Sequence, residues 1–224
     1  MDDTRQVMAD RQAMMDAFLK LLAEKGWHGF ALRDVAEAAG VGLAELYTAF
    51  PSRTALVEAF LADIDRTVLD GTAPSLDPDE TVRDRLFDTM MRRYDALRPH
   101  KEAVAALAEG LARDPLAALT LSRALGRSMA VVLEAAGVSA EGLSGTVRRN
   151  ALAAMHVAVM RVWLRDDSAD QSRTMAALDH RLKRAERWVQ SLDRFGKSAR
   201  RRGRAAASRA AAPEPSDPPD SPAA

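Results

Sequence analysis

The 224 residues contain no cysteine. That absence removes disulfides, thiolate metal sites and cysteine nucleophiles together, and it fits a reducing compartment. Aromatic residues are only 5% of the chain, and the period-two alternation of half-buried strands is almost missing. Net charge is absent too: 32 basic side chains face 32 acidic ones, so the whole molecule has no electrostatic pull toward nucleic acid. No uninterrupted apolar run reaches membrane-spanning length. The opening MDDTRQVMADRQ is charged and lacks the apolar core of a secretion signal, so a cytoplasmic location is expected. His28, His100, His156 and His180 form no spaced ligand pair such as HExxH, and there is neither a glycine-rich phosphate loop nor GxSxG. No metal, no cofactor and no catalysis are expected.

What is present is helical periodicity. The hydrophobic fraction of 47% suits one sizeable domain or two small ones with a real core. Over residues 11–25, Met14, Met15, Phe18, Leu21 and Leu22 recur at spacings of three and four, and Gly26 stands where a left-handed cap is cheap. Residues 32–39 predict a short helix closed by Gly40, and residues 43–49 another. After Pro51, Ser52 is placed to cap a helix over 53–68. A helix, a glycine-containing turn, a second short helix and the start of a third make a helix-turn-helix. The turn-rich GTAPSLDP at 71–78 then predicts a junction between a small head and a larger helical body.

In that body, Val82, Leu86, Met90, Tyr94 and Leu97 mark a helix over 79–97. Pro99 starts the next, which runs to about Ala112. Asp114-Pro115 opens a helix over 116–136 closed by Gly137. Residues 143–164 carry Val147, Ala151, Met155, Val159 and Val162 on one side, and residues 174–192 carry Leu178, Leu182, Ala185, Val189 and Leu192. Arg181, Lys183, Arg184, Arg187 and Arg194 on that last helix alternate with Asp179, Glu186 and Asp193, which reads as a solvated face. Beyond Gly196, half of the ten prolines fall between Pro213 and Pro222 and only alanine supplies apolar surface, so a disordered tail is expected, with Arg200, Arg201, Arg202, Arg204 and Arg209 solvated. The expected organisation is all-α: a helix-turn-helix domain at 5–52, a helical body at 53–195 and a disordered tail at 196–224, with roughly nine helices in two layers.

Several residues of the head carry a resemblance: the apolar first helix ending in Gly26, Leu32-Arg33-Asp34-Val35-Ala36, Ala39-Gly40-Val41, Leu46-Tyr47, Phe50, Ser52-Arg53 and Leu56. In these the chain resembles the tetracycline-repressor (TetR) family. The resemblance implies a homodimeric transcriptional regulator with operator-binding heads and bodies that take a small apolar ligand. It also implies a DNA-facing set of Arg33, Gly42, Leu43, Glu45, Tyr47, Thr48 and Arg53, with Tyr47 and Arg53 on phosphates. A ligand in the body would lower operator affinity by binding two states differently. Met90, Tyr94, Met129, Met155, Met160 and Trp163 would line its cavity, methionine being well suited to adaptable apolar pockets. The chain departs from the family pattern at Ala31, Gly42, Leu43, Glu45 and Ala49, where relatives commonly carry hydroxyl, basic or aromatic side chains. Residues 1–60 hold six basic and nine acidic side chains. Because phosphate neutralisation supplies much of DNA affinity, weak binding of generic DNA is expected.

A second set of residues, Gly26-Trp27 with Ala31-Leu32, then Trp163-Leu164-Arg165-Asp166-Asp167-Ser168, Thr174 and Leu178-Asp179-His180-Arg181, resembles the accessory lipid-binding family of ubiquinone biosynthesis. That family shares the TetR fold without being known for reading DNA. This resemblance implies an isoprenoid lipid in the body, a membrane-surface contact and a quinone-biosynthesis enzyme as partner.

Overall fold

A computed structural model describes residues 2–73 and 75–187, with side chains from residue 5 onward. The expected tail, its arginines and the end of the last predicted helix, including Val189 and Leu192, lie outside the described residues. The chain divides into two compact units, Met1–Arg181 and Leu182–Ala224. The described part of the second, residues 182–187, is helical.

The first unit is helical throughout, with no strand among the described residues. Its elements are α1 (Asp2–Lys25), α2 (Leu32–Ala39), α3 (Leu43–Ala49), α4 (Arg53–Asp70), α5 (Val82–Leu97), a 3-10 turn (Arg98–His100), α6 (Lys101–Leu111), α7 (Pro115–Ala135) and α8 (Gly142–Trp163). Residues 172–181 are also helical. The termini follow side-chain chemistry. Ser52, Thr81 and Asp114 accept from the backbone N–H groups of Ala55, Asp84 and Ala117 and so cap α4, α5 and α7. Gly26, Gly40 and Gly137 take the left-handed conformation, with φ of 72°, 71° and 74°, that closes a helix without a Cβ clash.

Helix α1 begins about one periodic stretch earlier than its apolar residues predict. The added turns are exposed, Val7 and Met8 included, and carry Gln6 Nε2 to Asp10 at 2.8 Å, a pair one turn apart that supports an exposed helix. Helix α5 starts at Val82 rather than at 79, because Thr81 supplies the cap. Pro99 lies in the 3-10 turn rather than at the start of α6.

Helices α1, α2 and α3 pack with the first half of α4 as the head. Phe18, Leu22, Val35, Leu46, Phe50 and Leu56 are fully enclosed there, and Phe18 meets Phe30 edge-on with centroids 5.9 Å apart. The second half of α4 packs on α5 and α7, and α7 packs on α8. Helix α4 thus belongs to both layers, and the break at 71–78 is a loop inside the first unit rather than its boundary. By length and composition α7 could span a membrane, the one such helix among the described residues; here it buries Leu121, Met129, Val132 and Leu133 within the body.

Candidate nucleic-acid interface and buried body site

In the head, α2 and α3 are joined by the turn at Gly40, with Val41 N–H returning to the Ala36 carbonyl at 3.0 Å. Leu46 is the buried anchor of α3, so its remaining positions turn outward: Gly42, Ala44, Glu45, Tyr47, Thr48 and Ala49 are exposed, with Tyr47 half exposed, while Leu43 is partly covered. Arg33 on α2 is exposed as well. The arrangement presents α3 as a helix free to enter a groove. Its chemistry is sparse. Thr48 spends its hydroxyl on the Ala44 carbonyl at 2.8 Å, and Gly42 offers no side-chain cap. At Ala31 the only capping is the backbone N–H donating to Asp34 Oδ2 at 2.7 Å.

Arg53, at the start of α4, is partly covered. Its guanidinium donates to the Trp27 carbonyl and stacks over the Trp27 ring, 4.9 Å from the centroid, and near Phe30 at 6.0 Å. Trp27 is itself buried. Its indole Nε1 donates to Asp114 Oδ2 at 3.2 Å, and its Cβ lies where a Cβ on Gly110 of α6 would stand, only 2.2 Å away. One tryptophan therefore touches the start of α4 in the head and both α6 and the cap of α7 in the body. The signal for this in the sequence was Gly110, a glycine inside a helix with no turn to explain it.

In the body, Met90, Tyr94, Met129 and Trp163 are fully buried, whereas Met155 and Met160 are partly covered. Tyr94 and Trp163 are brought together, their rings 5.9 Å apart. On the side of α8 that meets α5 stands His156, which the sequence marks only as one of four scattered histidines. It stacks on Tyr94 at 5.4 Å, and its Nδ1 lies 3.1 Å from the Tyr94 hydroxyl. Complete burial, aided by the nearby Arg93 charge, lowers the His156 pKa to about 3, so the ring is neutral at physiological pH. Its place on the buried face of α8, in step with Leu152, Val159 and Trp163, was the available signal. Trp163 Nε1 donates to Gln171 Oε1 at 3.0 Å. Asp166 receives the backbone N–H and hydroxyl of Thr174 at 2.8 and 2.7 Å, which accounts for that carboxylate structurally.

Also unmarked in the sequence reading were Arg93 and Asp65. Arg93 is fully buried on α5, and its Nη1 donates to Asp65 of α4, which also accepts from Ser128 of α7. Two surface clefts lie away from these residues. One, of about 570 Å³, runs between α1 and the 3-10 turn with α6, past Lys20, Glu24, His100 and Lys101; the other, of about 380 Å³, lies beside Trp27 and Glu109. Among the described residues no group of three or more His, Asp and Glu is placed to hold a metal ion.

A helix-turn-helix head continuous with a helical body defines the class, and comparison with known proteins says which. Residues 14–60 match the family profile of bacterial regulatory proteins of the tetR family, and residues 119–188 match the COQ9 profile. No curated protein sequence matches the chain. Among solved structures, a TetR transcriptional regulator from Nitrosomonas europaea ATCC 19718 superposes with a TM-score of 0.63 at 22% identity, over 79% of this chain and 97% of that one. A TetR regulator from Rhodococcus sp. RHA1 gives 0.52 at 23% identity, over 78% and 96%. The fold is therefore TetR-like, with a C-terminal segment like COQ9.

Proposed function

We propose that the chain is a TetR-type transcriptional regulator: a cytoplasmic homodimer whose heads meet DNA through α3 and whose body takes a small apolar ligand. The observation that carries this reading is the geometry of the head, in which α3 stands outward on a buried Leu46 anchor within the segment matching the tetR profile. The physical link between layers supports regulation, since Trp27 joins Arg53 of α4 to the Asp114 cap of α7. Dimerisation falls on α8, where Leu143, Val147 and Val157 are exposed, Leu143 at 91%. With Ala151 and Ala154 they make an apolar stripe at spacings of three and four.

The COQ9 match over 119–188 favours a second reading, a lipid-binding accessory protein of ubiquinone biosynthesis that kept the fold and does not bind operators. The bare outward face of α3 agrees with it. Fluorescence anisotropy of the full chain on genomic DNA fragments, at two salt concentrations, separates the two. Tight binding of a particular fragment that weakens steeply with salt supports the regulator. Uniformly weak binding, together with an isoprenoid lipid retained in native mass spectrometry, supports the accessory protein.

A further inference from the structure

The orphaned hydrogen-bonding capacity of the interior is concentrated in one place. Among the described residues, the buried side-chain nitrogens and oxygens without a partner are Nε and Nη2 of Arg93. The polar groups around it are answered: Tyr94 by His156, Trp163 by Gln171, Asp65 by Arg93 Nη1 and Ser128. A buried donor without an acceptor is costly, and native interiors rarely keep one without a reason.

The two atoms are not a random pair. In a planar guanidinium, Nε–H and one Nη2–H point the same way along one edge, at the spacing of the two oxygens of a carboxylate. Nη1, on the far side, is the nitrogen already held by Asp65. The ion pair with Asp65 therefore holds the guanidinium in place and leaves the nitrogens of its bidentate edge buried without an acceptor. The surroundings suit the rest of such a molecule. Met90 lies one turn before Arg93 among the buried residues of α5, and Met129 follows Ser128, the other donor to Asp65, among those of α7, so both helices bring buried, adaptable apolar side chains to the body's interior. The local charge also has room for an anion: the Tyr94 phenol feels the positive fields of both Arg93 and Arg181, Asp65 offsets one of them, and burial keeps His156 neutral.

We propose that the body binds an apolar organic acid, its carboxylate received side-on by Nε and Nη2 of Arg93. The inference rests on the reading of the body as a ligand site, and it adds the chemical class of the ligand. The test is calorimetric titration of the full chain with straight-chain carboxylates of eight to sixteen carbons and with the matching alcohols. The expected result is that the best carboxylate binds at least about tenfold more tightly than its alcohol, since a bidentate charged contact is lost in the alcohol. In R93K, which keeps the charge beside Asp65 and removes the forked edge, the ratio of acid to alcohol affinity falls toward one. Equal affinity for acid and alcohol in the wild type overturns the carboxylate assignment and leaves the body as an apolar-ligand site, with water satisfying Arg93. Unchanged acid preference in R93K, measured on protein that melts as the wild type does, overturns it as well. Binding of neither series overturns both the assignment and the ligand-site reading.

Discussion

Trp27 and Asp114 are joined by a hydrogen bond of 3.2 Å across 87 positions of sequence. The indole comes from the loop after α1, and the carboxylate is the N-cap of α7. The same carboxylate takes the Ala117 N–H at 3.0 Å. These two hydrogen bonds, the Ala117 backbone first and Trp27 second, lower its pKa below the usual aspartate value. The ionised form is thus the one the fold favours. Its contribution is present above the unfolded pKa and is lost as pH falls through the lower folded value. Asp114→Asn should lower the melting temperature at pH 6 and narrow the gap to the wild type below pH 4. Melting curves from pH 6 to pH 3 measure this, and a constant gap would show that the ionised carboxylate is not what couples the layers.

Gly110 gives a steric test of the same contact. A methyl group there would stand 2.2 Å from Trp27 Cβ, too close to be relieved by a flexible side-chain tip. Gly110→Ala should cost about 1–3 kcal/mol of stability despite alanine's better helix propensity. Urea denaturation reads the change, and Gly110→Ala combined with Trp27→Ala should recover part of it. A stabilised single variant would contradict the close approach of α6 to Trp27.

His156 predicts an acid-side loss of stability. Its pKa of about 3 in the folded chain lies below the ordinary histidine value near 6.5. The unfolded chain therefore takes up the proton first. Stability is full above pH 6.5 and declines as pH falls toward 3, by up to about 5 kcal/mol. The denaturation midpoint of the wild type should fall over that window, and His156→Gln should flatten the fall while lowering stability at neutral pH. Parallel pH profiles of the two proteins would sink the assignment.

Glu45 stands exposed on α3 in a head that carries more acid than base. Glu45→Lys should raise affinity for generic DNA and steepen the salt dependence by about one unit in the logarithmic slope, as for one added phosphate contact. Anisotropy titrations between 50 and 200 mM salt test this. An unchanged slope would mean that α3 does not approach the backbone.

Val147 is exposed on the apolar side of α8. Val147→Glu should convert a dimer into a monomer, read by sedimentation or light scattering, because a carboxylate facing its copy across a packed helix pair is desolvated without a partner. A wild-type chain that is already monomeric at tens of micromolar would remove the dimer from the reading.

Much of the fold was legible in the chain. Phe18, Leu22, Leu46, Leu56, Leu97 and Val159 fall at helical spacing and are buried where that spacing puts them, and the glycines at 26, 40 and 137 end helices as their position after an apolar run implies. Helix formation and termination are local: period, cap and positive φ are each set within a few residues. The outward chemistry of α3 was legible for the same reason, since burying Leu46 determines which neighbours must face out.

What lay beyond the sequence depends on pairs far apart in it. Arg53 reads as a surface cation at the start of a helix, and only the fold brings the Trp27 carbonyl and ring within its reach. Arg93 reads as one of many arginines on a charged helix; its complete burial, its pairing with Asp65 28 positions earlier and its two unpartnered nitrogens exist because α4, α5 and α7 converge there. His156 becomes a neutral core residue because Tyr94 closes over it from 62 positions away. Local sequence thus determined the helices and their ends. Tertiary packing decided which charges lost their water, and desolvation is what sets a buried arginine or histidine apart from its exposed counterparts.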